Sequence, residues 1–216
     1  RTPLSALAAS VELLMDQAPD LSPGELAELL ASLHLGVLGL QTLIDNLLES
    51  ASIETGHFRV SPRPCRVATV IAEAVELMQP LLQKHGQRLV VELPAAMPVV
   101  QADPRRTIQV LNNLLSNAIK YGPDDAEIEV CAAVEGNWVR LSVADRGPGI
   151  RPEARQDLFR RFVHPAPDDA AAQVGAGLGL SVAKAIVEAH GGQVGIGGRP
   201  GGGSIFWFTL PRSEEG

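Results

Sequence analysis

Aromatic side chains are scarce in this chain. Five Phe, two Trp and one Tyr serve 216 residues. A core of any size must then be built from Leu, Val, Ile and Ala, which dominate the hydrophobic 45%. Cysteine is scarcer still. Cys65 and Cys131 lie far apart and lack metal-ligand spacing, so they read as reduced, buried thiols of a cytosolic protein. Basic charge is also in deficit. A net charge of −7 excludes a general nucleic-acid binder, which needs a basic face, and gives no attraction to anionic lipid. No uninterrupted run of 18 apolar residues is present, so no membrane span is expected within the chain. No signal peptide is visible. A start methionine is absent too: Arg1-Thr2-Pro3-Leu4 runs straight into a helical pattern, which reads as a piece of something longer.

What is present falls into two halves. In the first sixty residues, apolar positions recur at three and four. Leu4, Leu7, Val11 and Leu14 are followed by a break at Ala18–Gly24. The series then resumes as Leu26, Leu30, Leu33, Val37, Leu40, Ile44, Leu47 and Ala51. That is the seam of a coiled coil or bundle. Ser22 before Pro23 is an N-cap with proline at the first helical position, and Gly56 is a stop. Leu29, Leu43 and Leu48 widen the stripe beyond what two helices can cover. A partner hairpin would complete a dimeric four-helix bundle. Packing on the second half of the same chain is the alternative.

Ser61-Pro62-Arg63-Pro64 breaks any helix and reads as a linker. The expected division is a hairpin over 1–60, a linker over 61–65 and a second domain over 66–212. In the second domain helical patterns run over 67–84, 104–120 and 178–190. Strand-like runs cover 88–93, 128–134, 138–144, 193–196 and 204–210. Interleaving of this kind predicts an α+β chain whose second domain is a two-layer α/β sandwich.

Three stretches of that domain carry chemistry. On the helix from Pro104, Asn113, Asn117 and Lys120 share a face at offsets of four and three. Asparagine is a poor helix former. Its amide oxygen can ligate Mg²⁺ without adding charge, and a lysine beside it can meet a phosphate; solvated surface amides are the competing reading. Asp145-Arg146-Gly147-Pro148-Gly149-Ile150 follows an apolar strand. A carboxylate there can accept a hydrogen bond from an exocyclic amine, and the glycines admit a flat ligand closely. Gly175-Ala176-Gly177-Leu178-Gly179-Leu180 opens a helix, leaving N–H groups for an anion. The segment 165–174 before it reads as a mobile lid rather than a strand, which argues against a dinucleotide fingerprint.

Taken in order, these stretches resemble the histidine-kinase branch of the Bergerat-fold (GHKL) ATPases. Asn113-Leu114-Leu115-Ser116-Asn117-Ala118-Ile119-Lys120-Tyr121 is similar to the N box, and Asp145–Ile150 to the G1 box. Leu158-Phe159-Arg160-Arg161-Phe162 is similar to the F box, and Gly175–Leu180 to the G2 box. Arg1-Thr2-Pro3-Leu4 resembles the tail of an H box. Asp45-Asn46-Leu47-Leu48 through Gly56 resembles the end of a second dimerisation helix. The resemblance covers essentially the whole chain.

It implies a sensor histidine kinase core with ATP and Mg²⁺ as cofactors. Asp145 would bind the adenine amino group, with Gly147 in the same loop and Gly149 and Ile150 walling the base. Asn113 would ligate the metal, with Asn117 supporting it or the phosphates. Lys120 and Tyr121 would contact phosphate or ribose. Gly175, Gly177 and Gly179 would give backbone donors, with Leu178 and Leu180 between and after them. Phe162 would belong to the nucleotide site. His164 stands where an arginine is common, which makes Arg161 the candidate phosphate contact. The phosphoacceptor histidine would lie three residues before Arg1. Thr2 would orient water for dephosphorylation of a regulator. The implied partners are a second copy of the hairpin and the receiver domain of a response regulator. A cytoplasmic location is implied, with any membrane attachment outside this chain. Competing readings are a degenerate kinase serving as an ATP-gated scaffold or regulator phosphatase, and a chaperone- or topoisomerase-type ATPase.

Overall fold

The structure, a computed structural model, describes residues 2–17, 21–155, 157–160 and 177–213. Two helices come first, α1 (Thr2–Gln17) and α2 (Pro23–Glu54). Their antiparallel hairpin follows from the heptad spacing. At Gly36 the helices approach so closely that a Cβ there would sit 2.7 Å from Leu7 Cδ2.

The expected N-cap at Ser22 starts α2, and with Glu25 it forms a capping box. Ser22 Oγ accepts from the Glu25 N–H at 3.3 Å, and the Glu25 carboxylate accepts from the Ser22 N–H at 2.9 Å. The Ser22 hydroxyl also donates to the Glu25 carboxylate at 2.7 Å, and this bond together with the Ser22 N–H holds the carboxyl below its ordinary pKa. Ser22→Ala is expected to cost about 1 kcal/mol of hairpin stability, read by thermal unfolding followed at a helix-sensitive wavelength.

The seam divides when seen in three dimensions. Leu7, Leu14, Leu26, Leu33 and Leu40 are half-buried in the hairpin. Leu30, Val37, Ile44 and Leu47 remain 43–57% exposed. By length and composition α2 is apolar enough to cross a membrane. The few charges that interrupt its apolar residues hide this from a search for an unbroken run.

The second unit contains helices α3 (Val67–Lys84), α4 (Pro104–Tyr121) and α5 (Gly179–Ala189). Its strands are β1 (Arg63–Arg66), β2 (Arg88–Glu92), β3 (Val99–Ala102), β4 (Glu127–Glu135), β5 (Trp138–Ala144), β6 (Val194–Gly198) and β7 (Ser204–Pro211). The main sheet runs β2-β4-β5-β7-β6, with β2 parallel to β4 and the other pairs antiparallel. Residues two apart share a face. Ile128, Val130 and Ala132, Val139, Leu141 and Val143, and Phe206, Phe208 and Leu210 therefore point together into a core shared with the helices. On β5 and β7 the intervening positions include Arg140 and Trp207, whose guanidinium and ring stack at 4.4 Å. This is the expected α+β two-layer arrangement.

The stretch expected to be a linker is partly a strand. β1 pairs antiparallel with β3, Cys65 opposite Val100. Pro64 and two arginines mask the short β pattern, and its partner lies over thirty residues away.

Candidate nucleotide site

Four segments converge at one end of the sheet. The first is α4. Asp103 caps it by accepting from the Arg106 N–H at 3.3 Å. Behind the cap, the Asp103 N–H donates to His190 Nε2 at 2.8 Å, and His190 Nδ1 lies 2.7 Å from the Ile186 carbonyl. The buried His190 thus ties the end of α5 to the start of α4, a role beyond packing at a helix terminus. One face of α4 buries Val110, Leu111, Leu114 and Leu115. Asn113 is also buried, at 5% exposure, so it is not a solvated surface amide; Asn117 is half-buried. Lys120 Nζ lies 3.0 Å from Tyr121 Oη and 4.5 Å from the centre of its ring.

The second segment is the loop after β5. Asp145 is 4% exposed. Its Oδ1 accepts from the Gly147 N–H at 2.8 Å and from the Ser204 N–H at 3.1 Å. Its own N–H donates to the Ser204 carbonyl at 2.9 Å. Burial pushes this carboxyl above its ordinary pKa. The two backbone hydrogen bonds and the charge of Arg199 pull the other way without cancelling it. Gly147 lies against the end of α4, where a Cβ would stand 2.6 Å from the Tyr121 carbonyl oxygen. Gly149 has φ +76°, a conformation that favours glycine. Ile150 is half-buried on the core.

The third segment is the start of α5. Gly177 has φ +64°, Leu178 is buried and Leu180 half-buried. No side chain caps this helix, so its first N–H groups remain available to an anion. A Cβ on Gly179 would stand 3.1 Å from Asn113 Oδ1. The helix start and the buried amide are therefore neighbours. The fourth segment is the β6–β7 turn. Its Gly203 backs onto Asp145 so tightly that a Cβ would run into the Asp145 carbonyl.

Of the expected site residues, Asn113 and Gly179 are neighbours, and Tyr121, Asp145, Gly147 and Gly149 are linked around the loop after β5; α4 joins the two groups. Arg161, Phe162 and Gly175 lie outside the described residues. Thr2 opens α1, and its side chain is likewise not described.

Sequence reasoning missed two groups. From α2, Asn46 pairs its amide with that of Asn113, at 3.3 and 3.5 Å. Next to it Glu49 forms an ion pair with Arg106, whose guanidinium stacks 5.3 Å from the Phe58 ring. Asn46, beside Asp45 and between the seam residues Ile44 and Leu47, was the available signal. Arg199, its side chain buried behind Asp145, and the half-buried Glu129 form the other missed pair; a loop arginine among glycines gave no signal.

Among the described residues no group of three or more His, Cys, Asp or Glu is placed to hold a metal. A hard cation here would rely on amide and phosphate oxygens, which suits Mg²⁺ with its few protein ligands.

Helices on one face of a mixed sheet, a buried carboxylate at a strand end, an asparagine helix and an uncapped glycine-rich helix start define the class of Bergerat-type ATPases. Comparison with known proteins narrows the class. Residues 102–214 match the family model described as histidine kinase-, DNA gyrase B- and HSP90-like ATPase. Residues 1–56 match the His Kinase A (phospho-acceptor) domain. The chain belongs to this ATPase family and is a sensor histidine kinase catalytic core. The phospho-acceptor match also accounts for the apolar length of α2, since helices of such a hairpin pack on one another.

The chain is 35% identical to Sensor protein KdpD of Escherichia coli (strain K12) over 98% of its own length and 23% of that protein. It is 34% identical to Adaptive-response sensory kinase SasA of Prochlorococcus marinus, covering 98% and 54%. It thus spans between about a quarter and about half of these relatives. Among solved structures, full-length ShkA in complex with AMPPNP superposes with a TM-score of 0.70 at 30% identity, over 99% of this chain and 44% of that one.

Proposed function

We propose that this core binds Mg²⁺·ATP where the four segments converge and passes its γ-phosphoryl group to a histidine, then to an aspartate of a response regulator. The observation that carries the reading is that one helix, α4, meets the uncapped α5 start at Asn113 and the Asp145 loop at Tyr121, where Gly147 abuts it. Along that helix the reading sets a metal ligand and an anion site at Asn113 and a base acceptor beyond its end.

In this reading Asp145 Oδ2 accepts from the adenine amine while Oδ1 stays on the backbone, and Gly149 and Ile150 wall the ring. Asn113 and Asn117 hold the magnesium, which supplies charge neutralisation for the phosphates. Lys120 and Tyr121 meet phosphate or ribose. Gly175, Gly177, Leu178, Gly179 and Leu180 present backbone to the phosphate chain. By the family resemblance Phe162 would belong to the nucleotide site and Arg161 would contact the phosphates. The imidazole nitrogen attacks the γ-phosphorus, the bond to the β–γ bridging oxygen breaks, and ADP leaves. The protein contributes positioning and electrostatic stabilisation rather than covalent chemistry. Family resemblance puts the acceptor histidine three positions ahead of Arg1 and gives Thr2 a role in orienting water on the phosphorylated regulator. The exposed series Leu30, Val37, Ile44 supports a homodimer closed through the hairpin. Use of ATP fits a core on the cytoplasmic side.

The test is incubation of the chain, extended to include the acceptor histidine, with γ-labelled ATP and Mg²⁺. Acid-labile, base-stable label that chases to a receiver domain is the expected result. Nucleotide binding without any label would overturn the kinase reading and leave a degenerate kinase acting as scaffold or regulator phosphatase.

A further inference from the structure

Arg199 stands at the start of the β6–β7 turn, and its side chain is 8% exposed. Its guanidinium pairs with the Glu129 carboxylate of β4 and also donates from Nη1 to the Asp145 carbonyl at 3.3 Å. The Arg199 N–H donates to the Gly203 carbonyl at 3.2 Å, and the Arg199 carbonyl accepts from the Gly202 N–H at 3.1 Å. Glu129 sits opposite Ala144, the residue before Asp145, in the β4–β5 register. One buried cation therefore joins β4, the loop after β5 and the turn whose Ser204 N–H holds Asp145 Oδ1. A pair whose cation is buried is poor evidence of a stabilising role, since desolvation offsets much of the attraction. Its value lies in the geometry it imposes.

We propose that the Arg199–Glu129 pair is a positioning device for the adenine-binding carboxylate. It fixes the turn, the turn fixes the Ser204 N–H, and that N–H together with Gly147 fixes which way Asp145 faces. The proposal rests on the reading of Asp145 as the adenine acceptor. Without Arg199 the turn loses its anchor and the carboxylate loses one of the groups that set its rotation. Charged groups around Asp145 are Arg199 from the turn, Glu129 from β4 and Arg146 from its own loop, Arg146 lying 3.9 Å from Glu129. Lys120 and Tyr121 end the helix that abuts Gly147. Arg199 is the one whose charge favours the ionised carboxyl against burial.

The experiment measures metal-free ADP binding calorimetrically, from neutral pH down through the carboxylate range. The full chain is compared with Arg199→Met and Arg199→Lys. Arg199→Met should weaken ADP about tenfold at neutral pH and move the acid limb of the affinity profile to higher pH. Titration of the ligand itself is common to all three proteins. Arg199→Lys should return the acid limb to its original place while recovering only part of the affinity. A single ammonium cannot span both Glu129 and the Asp145 carbonyl.

Unchanged affinity in a folded Arg199→Met protein would overturn the proposal, as would a uniform loss with an unmoved acid limb, the mark of a merely structural role. Should Arg199→Met fail to fold, Glu129→Gln carries the test. ADP should then weaken about threefold, and no change would overturn the proposal. If Asp145→Asn leaves ADP binding intact, the adenine reading itself has failed. If Asp145→Asn abolishes binding while Arg199→Met does nothing, only the positioning role has.

Discussion

Asp145→Asn is expected to weaken metal-free ADP binding about 10- to 100-fold, the range of a lost hydrogen bond to a charged group. The local geometry makes this nearly isosteric change severe. Asp145 Oδ1 receives two backbone N–H groups, from Gly147 and Ser204. An asparagine must place its one oxygen there, because its amide nitrogen cannot accept from an N–H. The nitrogen then occupies the Oδ2 position and presents a donor to the adenine amine, itself a donor. Turning the amide over to serve the base would instead set its nitrogen against two buried N–H groups.

The pH dependence has a definite sign. Burial raises the Asp145 carboxyl in the folded protein above its unfolded value, so the folded state takes up the proton first. As pH falls through that raised value, the unliganded domain gains stability from this group. ADP affinity falls over the same range, since the acceptor is being neutralised. Isothermal titration and thermal unfolding on one buffer series separate the two trends. Asp145→Asn binding within about twofold of the original, well inside the range set by one charged hydrogen bond, would remove Asp145 from the adenine site.

The parts legible in the sequence are those with a local period. The strand 138–144 and the helix 67–84 coincide with β5 and α3, because alternation and the three-four spacing report burial directly. The strand β3 at Val99–Ala102 leaves no such pattern, and β1 reads as linker. Each has four residues, too few for a period, and each exists through its pairing with the other. The heptads predict one apolar seam. They cannot say that Leu33 and Leu40 lie in the hairpin while Leu30 and Val37 face outward. Asp145, Asn113 and Gly179 are legible as separate motifs whose order carries the meaning. Arg199 is not, because its significance comes from Glu129, seventy residues away in sequence. Asn46 belongs to a recognisable helix-end motif, yet nothing local says that it meets Asn113.

That last contact shapes the second large effect. Asn113→Ala is expected to lower phosphoryl transfer by about 10²- to 10³-fold, the scale for removing a preorganised electrostatic contact from a reacting site. The assay is single-turnover labelling of the chain extended to its acceptor histidine. Asn113 Oδ1 stands beside the α5 start and accepts from Asn46 at 3.3 Å. Among the contacts of α4 it is the asparagine oxygen that lies between the uncapped α5 start and the hairpin. Alanine removes the proposed metal ligand but leaves Asp145, Gly147 and Ser204 untouched. Metal-free ADP should therefore bind within about threefold of the original, less than the cost of one hydrogen bond to a charged group, while the gain in affinity on adding Mg²⁺ disappears. Asn46→Ala separates the two partners of Asn113. It removes the hairpin amide and spares the ligand, so the Mg²⁺-dependent gain should persist. If Asn113→Ala weakened metal-free ADP as much as Mg²⁺·ADP, the side chain would be supporting the fold of the pocket and not the metal. If Asn46→Ala also erased the Mg²⁺ effect, the metal site would have to include the hairpin.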